Sequence, residues 1–180
     1  MTLYSEDIGK TAGQKIMAGF DGTEFNREIE YLIKELRVGG LILFSRNVES
    51  PEQLSTLCRK IKDCAGENGL PPVFISVDQE GGPVARLKEP FTVFPGNPSI
   101  KTDEQADRYA RTVSKELKSV GINMNLAPVL DVVGDIKDSV MKDRAFEKDT
   151  ATVSRLGCRV IKGMQQNGIM AVGKHFPGIG

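Results

Sequence analysis

The 180 residues contain no tryptophan, a single histidine, three cysteines and no excess of either charge, with 24 Lys and Arg against 24 Asp and Glu. Each shortage excludes something. A balanced surface lacks the basic bias of a nucleic-acid binder. A 39% hydrophobic share without net charge does not fit a disordered chain. No apolar run approaches the roughly 18 residues of a membrane-spanning helix. The opening residues Met1 to Asp7 lack the basic and then apolar order of a secretory signal. A cytoplasmic protein with no nucleic-acid or membrane partner is expected. The odd set Cys58, Cys64 and Cys158 contains no C-x-x-C pair and reads as reduced, mostly buried thiols. One His and three scattered Cys do not easily build a zinc site, and neither a metal nor a cofactor is expected.

What the sequence does contain is an alternation of short β-branched runs and longer helical periods, the mark of βαβ units with a parallel sheet. Strands are predicted at Lys15–Phe20, Leu41–Phe44, Pro72–Val77, Ile122–Val132 and Ile169–Val172. The first helix should bury Phe25, Ile29, Leu32, Ile33 and Leu36. The second opens with Ser50 as cap and Pro51 at the first helical position, and buries Leu54, Leu57, Cys58 and Ile61. Thr102 and Gln105 form a capping box before a helix carrying Ala106, Tyr109, Ala110, Val113, Leu117 and Val120, which Gly121 ends. A fourth helix buries Val153, Leu156, Val160, Ile161 and Met164. Two long segments, Pro83–Lys101 and Gly134–Asp149, read as irregular loops, and loops of that length are usually functional.

In parallel α/β folds the ligand sits at the carboxyl ends of the strands. The polar residues there are Asp21; Ser45, Arg46 and Asn47; Asp78, Gln79 and Glu80; Asp131; and Lys174 with His175. Such a set suits a small polar ligand rich in hydroxyls, although strands commonly end in polar turn residues anyway. Asp78 and Glu80 share one face of an extended chain and could form an acid/base pair, or equally a turn Asp beside a solvated Glu. Arg86 and Arg144, in the two long loops, could each offer a fork of donors. The run Gly168-x-x-x-x-Gly173-Lys174 is not a phosphate loop, because His175 replaces the magnesium-binding Ser or Thr and the intervening residues are the apolar strand itself. Lys174 at a strand end also leaves open a Schiff-base aldolase, and a complete flavodoxin-like sugar-binding module is a further alternative.

Five segments carry a resemblance when taken in order: Gly40-Leu41-Ile42-Leu43-Phe44; Val77-Asp78-Gln79-Glu80-Gly81-Gly82 with Val84, Arg86 and Leu87; Asn123-Met124-Asn125 with Ala127-Pro128-Val129 and Asp131; Asp143-Arg144 with Phe146; and Lys174-His175-Phe176-Pro177-Gly178. Together they resemble the glycoside hydrolase family 3 β-N-acetylhexosaminidases of bacterial cell-wall recycling. The resemblance implies a (β/α)8 TIM barrel that removes terminal β-linked N-acetylglucosamine by a retaining mechanism through a covalent glycosyl-enzyme. It implies that Asp78 accepts hydrogen bonds from sugar hydroxyls and that Arg86, Arg144, Lys174 and His175 complete the pocket. It also implies that the nucleophile, an aspartate on a later strand, and an Asp–His acid/base pair lie beyond Gly180. Residues 1–180 are then expected to form the N-terminal portion of one barrel domain, about five strands and four helices, inactive in isolation and prone to self-association through open strand edges. Ile179 departs from the family, where many members have His.

Overall fold

The computed structural model describes residues 8, 11–134, 139–147 and 149–179, divided between two compact units. The first unit, Met1–Val77 with Val120–Ile122, is built on parallel strands β1 (Met17–Ala18), β2 (Gly40–Leu43) and β3 (Phe74–Val77), in that order. Their register pairs Met17 with Gly40 and runs from Gly40 opposite Phe74 to Leu43 opposite Val77. Leu41, Leu43, Ile75 and Val77 are fully buried, as expected for strands covered on both faces.

Helix α1 (Arg27–Lys34) is capped by Asn26, whose side chain accepts from the Ile29 amide, and it buries Ile29 and Ile33. Leu36, predicted in its stripe, is exposed, because the helix ends at Lys34 and Arg37 takes a left-handed conformation, φ 51°. Helix α2 (Pro51–Glu67) begins as its sequence predicts, with Ser50 Oγ accepting from the Gln53 amide at 3.1 Å and Pro51 in the first turn. Its stripe Leu54, Leu57, Cys58 and Ile61 is buried.

The second unit, Asp78–Ser119 with Asn123–Gly180, starts with an antiparallel hairpin of β4 (Gln79–Gly81) and β5 (Val84–Ala85). The loop predicted over Pro83–Lys101 therefore contains a strand, and a 3-10 turn at Asn97–Ser99 as well. Helix α3 (Asp103–Ser119) follows, opened by the Thr102–Gln105 capping box. The strand predicted over Ile122–Val132 is regular only at β6 (Met124–Asn125), since Pro128 has no N–H to donate to a ladder. Val129 regains a parallel bridge to Lys174.

Helix α4 (Thr150–Gln166), capped by Asp149, buries Val153, Leu156, Val160 and Met164 and packs on α3, while Ile161 is half-buried. The close approach of α3 and α4 depends on Gly163, where an added Cβ would lie 2.7 Å from Cβ of Ala110. Strand β7 (Met170–Ala171) pairs in parallel with β6. Of the predicted loop Gly134–Asp149, residues 135–138 and 148 lie outside the described residues, as do Met1–Asp7; Met141, Ala145 and Phe146 of its described part are buried. Cys58 and Cys64 are buried, but Cys158 is exposed, because it lines an open concavity between α3 and α4. Among the described residues no helix is long and apolar enough to cross a membrane, and no group of His, Cys, Asp or Glu is placed to hold a metal ion.

Candidate functional site

Asp78 follows β3 directly, and the chain then reverses through Gly81 and Gly82, whose φ angles are 88° and 59°. Both glycines are needed sterically as well. A Cβ on Gly81 would come within 3.0 Å of the Gly96 backbone, and one on Gly82 within 2.9 Å of the Pro95 carbonyl oxygen. Extended backbone sends alternate side chains to opposite sides. Gln79 is buried: its Oε1 accepts from the Arg86 and Leu87 amides at 2.9 and 3.0 Å, and its Nε2 donates to the Leu87 carbonyl at 2.9 Å. Its own carbonyl accepts from Tyr109 Oη at 2.5 Å and Asn125 Nδ2 at 3.1 Å. Burial pushes the Tyr109 phenol up, so it remains a donor at neutral pH.

Asp78 and Glu80, on the other side, meet one ammonium. Lys174 Nζ lies 2.7 Å from Asp78 Oδ1 and 2.6 Å from Glu80 Oε1. Arg144 grips Glu80 with a two-bond fork, Nε to Oε2 at 2.9 Å and Nη2 to Oε1 at 2.7 Å. The hydrogen bonds to Glu80 hold the Arg144 guanidinium above its ordinary range despite partial burial. Arg86 Nη2 reaches Asp78 Oδ2 at 3.5 Å. At the far end Arg144 Nη2 is 3.4 Å from His175 Nε2, and His175 Nδ1 is 2.7 Å from Asp131 Oδ2. Asp131 also accepts from the backbone amides of His175 and Ile179, at 3.1 and 2.7 Å. Burial opposes its charge, but the hydrogen bonds from His175 and from the Ile179 amide outweigh burial and hold its carboxyl below the usual range.

Asp78, Arg86, Arg144, Lys174 and His175, the five residues expected at the site, therefore stand in one chain of alternating charge. That chain contains three carboxylates (Asp78, Glu80, Asp131) and three guanidinium or ammonium groups (Arg86, Arg144, Lys174). Glu80, read in the sequence as either an acid/base partner or a solvated turn residue, is neither. Its side chain is 2% exposed, and one ammonium bridges it to Asp78, so the two carboxylates sit together instead of flanking a scissile bond. Lys174 Nζ is likewise engaged by two carboxylates, whereas an aldolase lysine needs its nitrogen free to attack a carbonyl.

Asp131 stands in the sequence as a strand-end carboxylate and as a member of a family motif, but nothing in the linear spacing joins it to His175, 44 residues on. Asn97, buried and donating to the Arg144 carbonyl at 3.0 Å, was missed because a lone Asn in a loop carries no sequence signal. Of the remaining candidates, Asn47 is a buried turn anchor, accepting from the Phe44 amide and donating to the Phe20 and Gly22 carbonyls. Asp21 and Arg46 pair with each other at an exposed position, 2.7 Å apart. Ser45 starts the 3-10 turn Ser45–Asn47 that carries Arg46 and Asn47.

A cavity of about 240 Å³ opens along Leu130, Asp131 and Gly173 to Gly178. A larger concavity, about 460 Å³, runs between α3 and α4, but its Arg155 and Arg159 are already paired with Asp103 and Asp107. The first, beside Lys174 and His175, is the one the polar network borders.

Residues 8–180 match the N-terminal domain of glycosyl hydrolase family 3. The β-hexosaminidase of Idiomarina loihiensis is 38% identical over 92% of this chain and 51% of its own length. Among solved structures, a glycoside hydrolase family 3 β-N-acetylglucosaminidase from Paenibacillus superimposes with a TM-score of 0.92 at 39% identity, covering the whole chain and 34% of that protein. NagZ from Neisseria gonorrhoeae, solved in complex with N-trifluoroacetyl-D-glucosamine, gives a TM-score of 0.80 at 31% identity over 91% of this chain and 50% of its own. The chain spans about half the length of the curated relatives it matches. It belongs to glycoside hydrolase family 3, and its α/β architecture is part of that family's (β/α)8 barrel domain.

Proposed function

We propose that the chain forms the N-terminal portion of one barrel domain and supplies the sugar-recognition side of a hydrolase. That enzyme releases terminal β-linked N-acetylglucosamine in cytoplasmic peptidoglycan turnover. The observation that carries this reading is the continuous, charge-alternating series from Arg86 through Asp78, Lys174, Glu80, Arg144 and His175 to Asp131. Fixed acceptors and donors set side by side with no net charge match a neutral ring bearing hydroxyls and an amide, whose groups are each both donor and acceptor. Asp78 accepts from the sugar hydroxyls, and Arg86, Arg144, Lys174 and His175 frame the ring. The N-trifluoroacetyl-D-glucosamine bound by the gonococcal relative supports the same ligand class. The retaining chemistry, with its nucleophile and acid/base, belongs to segments other than these 180 residues.

The test is a calorimetric titration with N-acetylglucosamine, with glucose as the control. Asp78→Ala should weaken binding about five- to 150-fold, the equivalent of about 1–3 kcal/mol for sugar hydroxyls left facing unpaired groups. Equal affinity in the variant refutes the assignment, and so does robust turnover of a chromogenic N-acetylglucosaminide by the 180-residue chain alone.

A further inference from the structure

We propose that Asp131 is a positioning residue: it locks His175 as the tautomer protonated on Nδ1, so that the bare Nε2 is presented to the pocket as an acceptor. Two partners of opposite character require the same tautomer. A carboxylate has only acceptors, so the ring nitrogen 2.7 Å from Asp131 Oδ2 must carry the hydrogen. A guanidinium has only donors, so the nitrogen 3.4 Å from Arg144 Nη2 must be the bare one. A ring protonated on both nitrogens would set donor against donor at Arg144, and one protonated on Nε2 alone would fail at both ends.

Asp131 is itself well held. Its side chain is fully buried, and the amides of His175 and Ile179 donate to its two oxygens at 3.1 and 2.7 Å, which pins the turn after Lys174 as well as the ring. The carboxyl is thus an anchor fixed from the 129–133 segment, and it holds the imidazole through Nδ1. The charged groups facing the ring are Asp131 on one side and Arg144 on the other, with Lys174 preceding it in the chain and turned towards Asp78 and Glu80.

The consequence rests on the sugar-pocket reading proposed above: the Nε2 lone pair, which Arg144 holds only at 3.4 Å, exchanges that contact for a hydrogen bond from a sugar hydroxyl, and the ring donates none there. The tautomer itself does not depend on that reading, and the experiment separates the two.

His175 is the single histidine of the sequence, so histidine-selective 15N labelling gives one imidazole to observe. In the wild-type protein near neutral pH, long-range 1H–15N correlation should show a pyrrole-type Nδ1 and a pyridine-type Nε2. The opposite pattern, or an even mixture, overturns the proposal without any variant. Asp131→Ala should shift the population towards Nε2–H, because Arg144 at 3.4 Å holds the ring far more weakly than Asp131 at 2.7 Å, and Asp131→Asn, which keeps an acceptor oxygen, should restore Nδ1–H in part. A folded Ala variant with an unchanged pattern overturns it too. Adding N-acetylglucosamine should move the Nε2 resonance, and Asp131→Ala should weaken its binding about three- to tenfold. Binding that leaves Nε2 unmoved refutes the acceptor role. No binding by a wild-type protein with the Nδ1–H tautomer intact removes the sugar reading and leaves the positioning role standing.

Discussion

Replacing Glu80 by Gln tests the network at its most buried point. Glu80 accepts three charge-assisted bonds, two from Arg144 at 2.9 and 2.7 Å and one from Lys174 at 2.6 Å. Glutamine keeps the shape but removes the charge and turns an amide N–H2 towards donors. Breaking a buried ion pair by neutralising one partner costs about 3–5 kcal/mol, because the other charge is left uncompensated. Arg144 and Lys174 keep 20% and 14% of their side-chain surface exposed, and Lys174 retains Asp78, so the lower end applies. The expected loss is about 3 kcal/mol, or a fall in Tm of about 6–12 °C for a chain of this size. Urea unfolding measures it, through a lower midpoint at unchanged slope. Asp103→Asn, which breaks the half-exposed pair with Arg155, is the internal control and should cost under about 1 kcal/mol. A Glu80→Gln loss no larger than that control would refute the claim that the buried network stabilises the fold.

Two further outcomes follow from single observations. Gly81→Ala combines a left-handed φ of 88° with a Cβ 3.0 Å from the Gly96 backbone, so it should cost at least about 1–3 kcal/mol; a variant as stable as wild type in urea would show that the hairpin relaxes freely. The carboxyl of Asp131 is held below its ordinary range, so its contribution is present above about pH 4 and is lost as the pH falls through the lowered folded-state value. The stability gap between wild type and Asp131→Asn should therefore be widest near neutrality and narrow in acid, and a gap constant from neutral to strongly acidic pH would contradict the assignment.

The helices were legible because their signals are local. Ser50 with Pro51, and Thr102 with Gln105, satisfy end groups within one turn, and the stripes of α2 and α3 follow the 3.6-residue period. The strands were less so. Apolar runs such as Ile122–Val132 continue past the point where Pro128 breaks the ladder, and the β4–β5 hairpin is made of polar and small residues with no alternating apolar face. At the site, motif order identified Asp78, Arg86, Arg144, Lys174 and His175, which the fold does gather. What it hid was how those residues are paired. Glu80 and Asp131 acquire their roles from partners 64 and 44 residues away, and no spacing rule along the chain encodes such distances.

The alternating signs along the network also bear on how a ligand arrives. Three anions interleaved with three cations cancel within a few ångströms, so little potential projects beyond the Debye length of about 8 Å at physiological salt. A site of this kind casts no electrostatic funnel: encounter with an uncharged ligand, such as the sugar proposed above, would proceed at the unsteered diffusional rate and be indifferent to ionic strength. Charged metabolites are neither drawn in nor turned away at a distance, and discrimination falls entirely on the short-range fit of donors and acceptors once a molecule has entered.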